Sequence, residues 1–168
     1  MDPIVQRSLR ALLVTVAVAM ALVIGPAPAP HAAPAGGAQR REAAAPTTSN
    51  AYESRILQLV NAERTRRGLR PLRPWACADG FAERWSAYLA RSKVLKHQSM
   101  ATIMRSCRAR TVGENIGYGA VSADAMVRLW MGSSAHRRNI LNPTFAYIGL
   151  GAVNSGGHWY AVQEFMAF

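Results

Sequence analysis

Two alternating runs close to the C-terminus constrain the fold more than any other stretch. Tyr147 to Val153 places Ile148, Leu150 and Ala152 on one face, and Tyr147, Gly149, Gly151 and Val153 on the other. His158 to Phe165 alternates again, with Trp159, Ala161, Gln163 and Phe165 together. Between them lies Asn154-Ser155-Gly156-Gly157, a run of turn formers. Period-two apolar runs separated by such a turn predict a β-hairpin with one buried face. Gly149 and Gly151 fall mid-strand, where a missing side chain signals that another backbone comes close.

The segments before the hairpin read mostly as helices. Residues 51–67 carry Ile56, Leu59, Val60 and Glu63 at helical spacing, with Asn50 as N-cap, Glu53 completing a capping box, Arg64, Arg66 and Arg67 in the last turn, and Gly68 as the stop. Leu69 to Leu72 is extended, because Pro71 excludes its predecessor from the helical region. Residues 79–91 present Phe81, Ala82, Trp85, Tyr88 and Leu89 as an apolar stripe. Residues 93–110 read mainly as loop, and 111–119 as a strand running into a glycine-rich turn. Ser122 caps a helix over 123–131 with a core stripe of Met126, Leu129 and Trp130. Gly132 ends it, and Ser133 or Ser134 caps a short helix over 135–141.

The N-terminus is of another kind. Ala11 to Ile24 is an apolar run of 14 residues broken only by Thr15, preceded by Arg7 and Arg10 and followed by Gly25-Pro26 and small residues. That is short for a membrane span and suits the core of an export signal. Ala33-Pro34-Ala35 fits the small-x-small cleavage rule, which predicts a signal peptide over 1–35 and a mature start at Gly36. Residues 36–49, rich in Ala, Gly and Pro, form a linker that cannot bury enough surface to fold. Residues 50–168 make one domain with room for a sizeable core.

Export sets the reading of the cysteines. Cys77 and Cys107 are a pair 30 positions apart in a chain bound for an oxidising compartment, which predicts a disulfide. Charge narrows the partners. The chain carries a net +11; without residues 1–35 it keeps 18 basic and 8 acidic residues, a net of +10. Such a field favours anionic partners such as cell-wall polymers. The basic residues are scattered and lack interleaved aromatics, so nucleic acid is excluded as a partner. No membrane-spanning segment is expected after signal cleavage, and the chain is expected to be monomeric.

Three residues stand out chemically. Glu114 lies in GENIGYG between Val112 and Ile116, where a carboxylate must be paired or hydrogen-bonded, either within a site or to backbone amides of a neighbouring loop. His136, in WMGSSAHRRNIL, falls in the first turn of a helix, where the dipole disfavours imidazolium and keeps a nitrogen lone pair available. His97, in LKHQS, sits in a polar loop where a histidine is ordinarily just solvated.

The order of motifs carries a resemblance. VNAERTRRGLRPL, then Trp85, LKH, GENI, W-x-x-S-x-x-H-R-x-N-I-L, Y-x-G-x-G and W-Y-A-V-Q-x-F together resemble the CAP superfamily of cysteine-rich secretory proteins, antigen five and pathogenesis-related proteins, in its bacterial secreted SCP-like branch. The resemblance spans about residues 52–168. It implies an α+β fold: a three-layer α-β-α sandwich with a small, mainly antiparallel sheet and an open cleft holding His97, Glu114 and His136. The family's second glutamate, three residues after the helix tryptophan, is Ser133 here, which can hydrogen-bond but cannot act as a carboxylate.

Three functions compete. The first is a non-enzymatic extracellular module that binds a small apolar ligand (lipid or sterol) or a cell-surface polymer or protein. No G-x-S-x-G nucleophile elbow is present, and a disulfide consumes both thiols. The second is a zinc-dependent hydrolase with His97 and His136 as ligands and Glu114 as the base. The third is a binder whose affinity depends on zinc held by the two histidines.

Overall fold

The computed structural model describes residues 49–168. The expected export signal and its cleavage site lie outside the described residues, as does nearly all of the expected linker. In chain order the elements are α1 (Ser49–Thr65), β1 (Arg73–Pro74), α2 (Ala76–Ser92), α3 (Met100–Cys107), β2 (Thr111–Gly119), α4 (Ala123–Gly132), α5 (Ser134–Ile140), β3 (Tyr147–Ser155) and β4 (His158–Ala167). None of the described helices is long and apolar enough to cross a membrane.

The expected hairpin is the centre of the sheet. β3 and β4 pair antiparallel from Tyr147↔Met166 to Ser155↔His158, leaving the two-residue loop Gly156-Gly157. Both glycines have positive φ, +63° and +79°, as a turn that follows the strand twist requires. β2 pairs antiparallel with β4, and the short β1 pairs parallel with β3, so the strand order is β1-β3-β4-β2. Helices cover both faces. Tyr52, Ile56 and Val60 of α1 join Met126, Val127 and Trp130 of α4 over Ile148, Leu150, Ala152, Trp159, Ala161 and Phe165. On the other face α2 and α3 cover Tyr160, Val162 and Met166. The arrangement is the α-β-α sandwich.

Several local expectations change in this context. The buried face of α1 is Tyr52, Ile56, Val60 and Arg64. Arg64 does not simply serve the helix dipole: only 1 % exposed, it donates to the carbonyls of Arg70, Ile140, Asn142 and Phe145 at 2.7–3.0 Å. Glu63 lies off this face and pairs with Arg66 and Arg67. Glu53 does not close a capping box but accepts the amide of Ala152 at 2.7 Å.

The buried stripe of α2 is Ala78, Ala82, Ser86, Leu89 and Ala90, not the aromatic one. Trp85 and Tyr88 are half-buried and stack on each other at 4.7 Å. The expected close approach at Gly149 and Gly151 explains this rotation. A Cβ at Gly149 would stand 2.0 Å from the Ala78 carbonyl carbon, and one at Gly151 would stand 2.3 Å from that of Ala82. Only small residues fit between helix and strand at such separation.

Residues 93–110 are mostly loop, as expected, but they enclose a helix, α3, over Met100–Cys107. Ser99 accepts from the Thr102 amide and starts α3, whose Ile103 and Cys107 are buried. The expected disulfide joins Cys77 to Cys107 with a Cα–Cα distance of 5.8 Å, tying the start of α2 to the end of α3. Leu129 is 57 % exposed rather than core, because Ala123, Met126, Val127 and Trp130 already occupy the inward arc of α4.

Candidate functional site

The site is built on the exposed edge of β2 by a strap from one helical layer and a short helix from the other. α2 ends at Lys93 in the left-handed region, φ +59°, which turns the chain out across the sheet. The strap 93–98 is fastened midway, where Trp85 Nε1 donates to the Lys96 carbonyl at 2.9 Å. It delivers His97 and Gln98 onto Glu114. His97 Nδ1 contacts Glu114 Oε1, the Gln98 amide donates to that oxygen at 3.3 Å, and Gln98 Nε2 donates to Glu114 Oε2 at 3.0 Å. Glu114 is buried, whereas the His97 side chain is 62 % exposed, so the pair opens to solvent through the imidazole.

Behind Glu114 stands a second carboxyl that pattern reading missed. Glu164 is the registered partner of Glu114 across β2 and β4 and is fully buried. Gln98 Nε2 bridges the two, reaching Glu164 Oε1 at 2.5 Å, and Glu164 Oε2 has no hydrogen-bond partner. Burial, with the facing Glu114 adding to it, pushes the Glu164 carboxyl up to about 10. Glu164 is the unspecified position in W-Y-A-V-Q-x-F. Alternation assigns it to an outer face, but β4 is a central strand covered on both sides.

The other side of β2 holds α5. Asn115 Nδ2 donates to the His136 carbonyl at 3.1 Å and to Gln163 Oε1 at 3.0 Å. Asn139 Nδ2 donates to the Glu114 carbonyl at 3.0 Å and to Asn115 Oδ1 at 2.9 Å. Through this amide ladder Asn115 and Asn139 lock α5 onto the strand that carries Glu114. Burial first, and the nearby His97 second, hold the His136 imidazole below its ordinary value. The direction is the expected one, but the causes are burial and a neighbouring imidazole. Ser133 sits at the α4–α5 joint, where its carbonyl accepts from the Arg137 amide at 2.9 Å and its hydroxyl makes no capping bond.

The structure thus brings His97 directly onto Glu114 and places His136 within electrostatic reach of His97. Among the described residues, no three His, Cys, Asp or Glu side chains are grouped to hold a metal ion. His97 turns Nδ1 to Glu114, which leaves Nε2 as the ring nitrogen that could meet a ligand or an ion. As arranged, the cluster can exchange a proton through His97 or present an imidazole and a half-buried histidine to a polar ligand.

Comparison with known proteins agrees with this fold. The family model for CAP, the cysteine-rich secretory protein family, matches residues 57–165. The uncharacterized protein YkwD of Bacillus subtilis strain 168 is 37 % identical over 129 residues, covering 73 % of this chain and 49 % of that protein. The chain therefore spans about half the length of this relative. An extracellular protein of Bacillus anthracis that contains an SCP domain superposes with a TM-score of 0.64 at 23 % identity, over 71 % of this chain and 41 % of that one. An outer surface protein of Borrelia burgdorferi superposes with a TM-score of 0.62 at 16 % identity, over 67 % of this chain and 89 % of that one.

Proposed function

The chain belongs to the CAP (cysteine-rich secretory protein) family, and from that premise we propose that it is an extracellular, non-enzymatic module that binds a ligand or partner at the cleft of His97, Glu114 and His136. One observation carries the reading: a buried carboxylate is held in place by Gln98 and is in contact with the exposed His97. Such a group orients a polar end of a ligand without needing to react with it. The chemistry nearby supports binding over turnover. Both cysteines are in the disulfide, and Ser133 makes no side-chain bond at its helix cap that would mark an activated hydroxyl. The extracellular setting is supported by the export pattern of residues 1–35, by the disulfide, and by the extracellular and outer-surface proteins that share the fold.

The test is native mass spectrometry of the protein secreted into culture medium, before and after zinc is added. A retained small molecule, lost in Glu114→Gln and His136→Ala, is the expected result. One zinc per chain, lost in both His97→Ala and His136→Ala, would replace it with the zinc-dependent reading. Hydrolysis of any ester or peptide substrate that Glu114→Gln abolishes would replace it with a hydrolase. The intact mass also reports whether the chain starts at Gly36.

A further inference from the structure

Four residues along from Glu114, on the same face of β2, lies Tyr118, paired in register with Tyr160 as Glu114 is with Glu164. At about 3.3 Å per residue the two positions stand roughly 13 Å apart. The strap that delivers His97 to Glu114 begins here. Lys93, Leu95, Tyr118 and Tyr160 line an open pocket of about 330 Å³, at the small end of ligand sites.

Its surfaces are of three kinds. Tyr118 is 45 % exposed and lies flat on His158, with ring centroids 5.2 Å apart and planes within 10°. Tyr160 stands against it at 4.8 Å and 50°, so the two phenols form a corner. Lys93 Nζ lies 5.0 Å from the centroid of the Tyr160 ring and donates to Ser155 Oγ at 2.8 Å, which fixes a cation at the corner. Leu95, 51 % exposed, closes the third side. A lipid tail needs a deep apolar bore, and this pocket is open and carries a lysine and two phenols. A sugar ring has an apolar C–H face for a phenol, hydroxyls at its rim for solvent and phenolic oxygens, and, where it is acidic, a carboxylate for Lys93. The net charge of +11 on the chain favours that anionic form.

We propose that the pocket of Lys93, Leu95, Tyr118 and Tyr160 is a subsite for a carboxylate-bearing sugar ring of a glycan whose chain runs along the strap toward His97 and Glu114. The proposal rests on the binding reading above and names its ligand class. Cell-wall polymer and free oligosaccharide share this chemistry.

The test is an NMR titration of the full chain with a trisaccharide of galacturonic acid, with neutral galactotriose and phosphatidylglycerol vesicles in parallel. The expected result is saturable shifts at Tyr118, His158 and Lys93. Affinity should fall about tenfold in Tyr118→Ala, the equivalent of about 1.4 kcal/mol. It should fall less in Tyr118→Phe, which keeps the ring face, and be unchanged in Leu129→Ser on α4. Lys93→Gln should remove the preference for the acidic over the neutral trisaccharide. Binding to insoluble cell wall but not to the trisaccharide, if lost in Tyr118→Ala and competed by pectate, supports the polymer as the source. No saturable binding to either, unchanged affinity in Tyr118→Ala, or attachment to vesicles alone overturns the proposal. If Glu114→Gln binds normally while Tyr118→Ala does not, the pocket stands and the His–Glu cleft falls; the reverse pattern overturns the pocket and leaves the cleft.

Discussion

Arg64 answers to four carbonyl oxygens that converge from the connector after α1, the end of α5 and the loop before β3. Burial holds its guanidinium below the ordinary value, yet its fork of donors satisfies acceptors that otherwise would be stranded in the core. Arg64→Met should therefore cost about 3–5 kcal/mol in chemical denaturation, because removing one partner leaves the others buried and unpaired. Arg64→Lys should recover little, since a single ammonium cannot face four carbonyls arranged around a planar fork. In the local sequence only its spacing of four from Ile56 and Val60 separates Arg64 from Arg66 and Arg67, which are exposed and pair with Glu63. Glu164 is similar. Its partner Glu114 was legible as a carboxylate in the wrong place, but Glu164 reads as one polar residue in an alternating strand until the register of β2 and β4 puts the two opposite each other.

At the scale of elements, α2 and β3 set the spacing of the sandwich. The contact is backbone to backbone at Gly149 and Gly151, so neither partner can yield by changing a rotamer. Gly151→Ala should force α2 away from the sheet and destabilise the fold by about 3 kcal/mol, the upper end of ordinary overpacking costs, as read from the urea midpoint. The same substitution at Gly132, where an added Cβ meets nothing, should be tolerated. The disulfide acts at the same end of α2, through Cys77 beside the Ala78 that Gly149 meets. Its loop of 30 positions should make Cys77→Ser/Cys107→Ser less stable by about 3–4 kcal/mol, with α3 the first element to open in hydrogen exchange. The glycines and the cysteine pair were legible in the sequence because each marks a requirement by itself. The start of α3 was not, because its signal is a lone Ser99 cap followed by a buried Ile103 and Cys107 too few to make a stripe.

For the whole molecule the buried ionisable groups set the response to pH. Burial raises Glu53, which caps the Ala152 amide at the β3 edge, to about 7, and Glu164 lies at about 10, both from an ordinary 4.5. In the unfolded chain both ionise near 4.5, so above that pH the unfolded state sheds protons that the folded state keeps. Their contribution is complete below pH 4.5 and is lost as pH rises, through about 7 for Glu53 and toward 10 for Glu164. His136 works in the other sense: its lowered value favours folding above its ordinary 6.5 and the gain is lost as pH falls. Melting temperatures measured from about pH 4.5 to about 9 should therefore decline toward alkaline pH. Glu53→Gln should flatten part of the decline below about pH 7, and Glu164→Gln should flatten the decline on both sides of that pH. An unchanged slope in both variants would show that neither carboxyl keeps its proton in the folded state.

The sequence by itself determined what is encoded within a few residues: the hairpin and its glycine turn, four of the five described helices with the Ser122 cap, the parity of the cysteines, and the ordered motifs that identify the family. It also marked Glu114, a carboxylate in an apolar strand, and His136, in a helix's first turn, as residues to watch, while His97 was joined to them by the family resemblance. Only the tertiary structure decided which face of α2 turns inward, that β4 is covered on both sides, that Arg64 is a core residue, and that Glu164 and Gln98 complete the surroundings of Glu114. The reason is physical. Periodicity reports the burial of one face by an unspecified neighbour. Which side chains meet across layers depends on strand register and on how closely two backbones approach, and those are set by groups far apart in the chain.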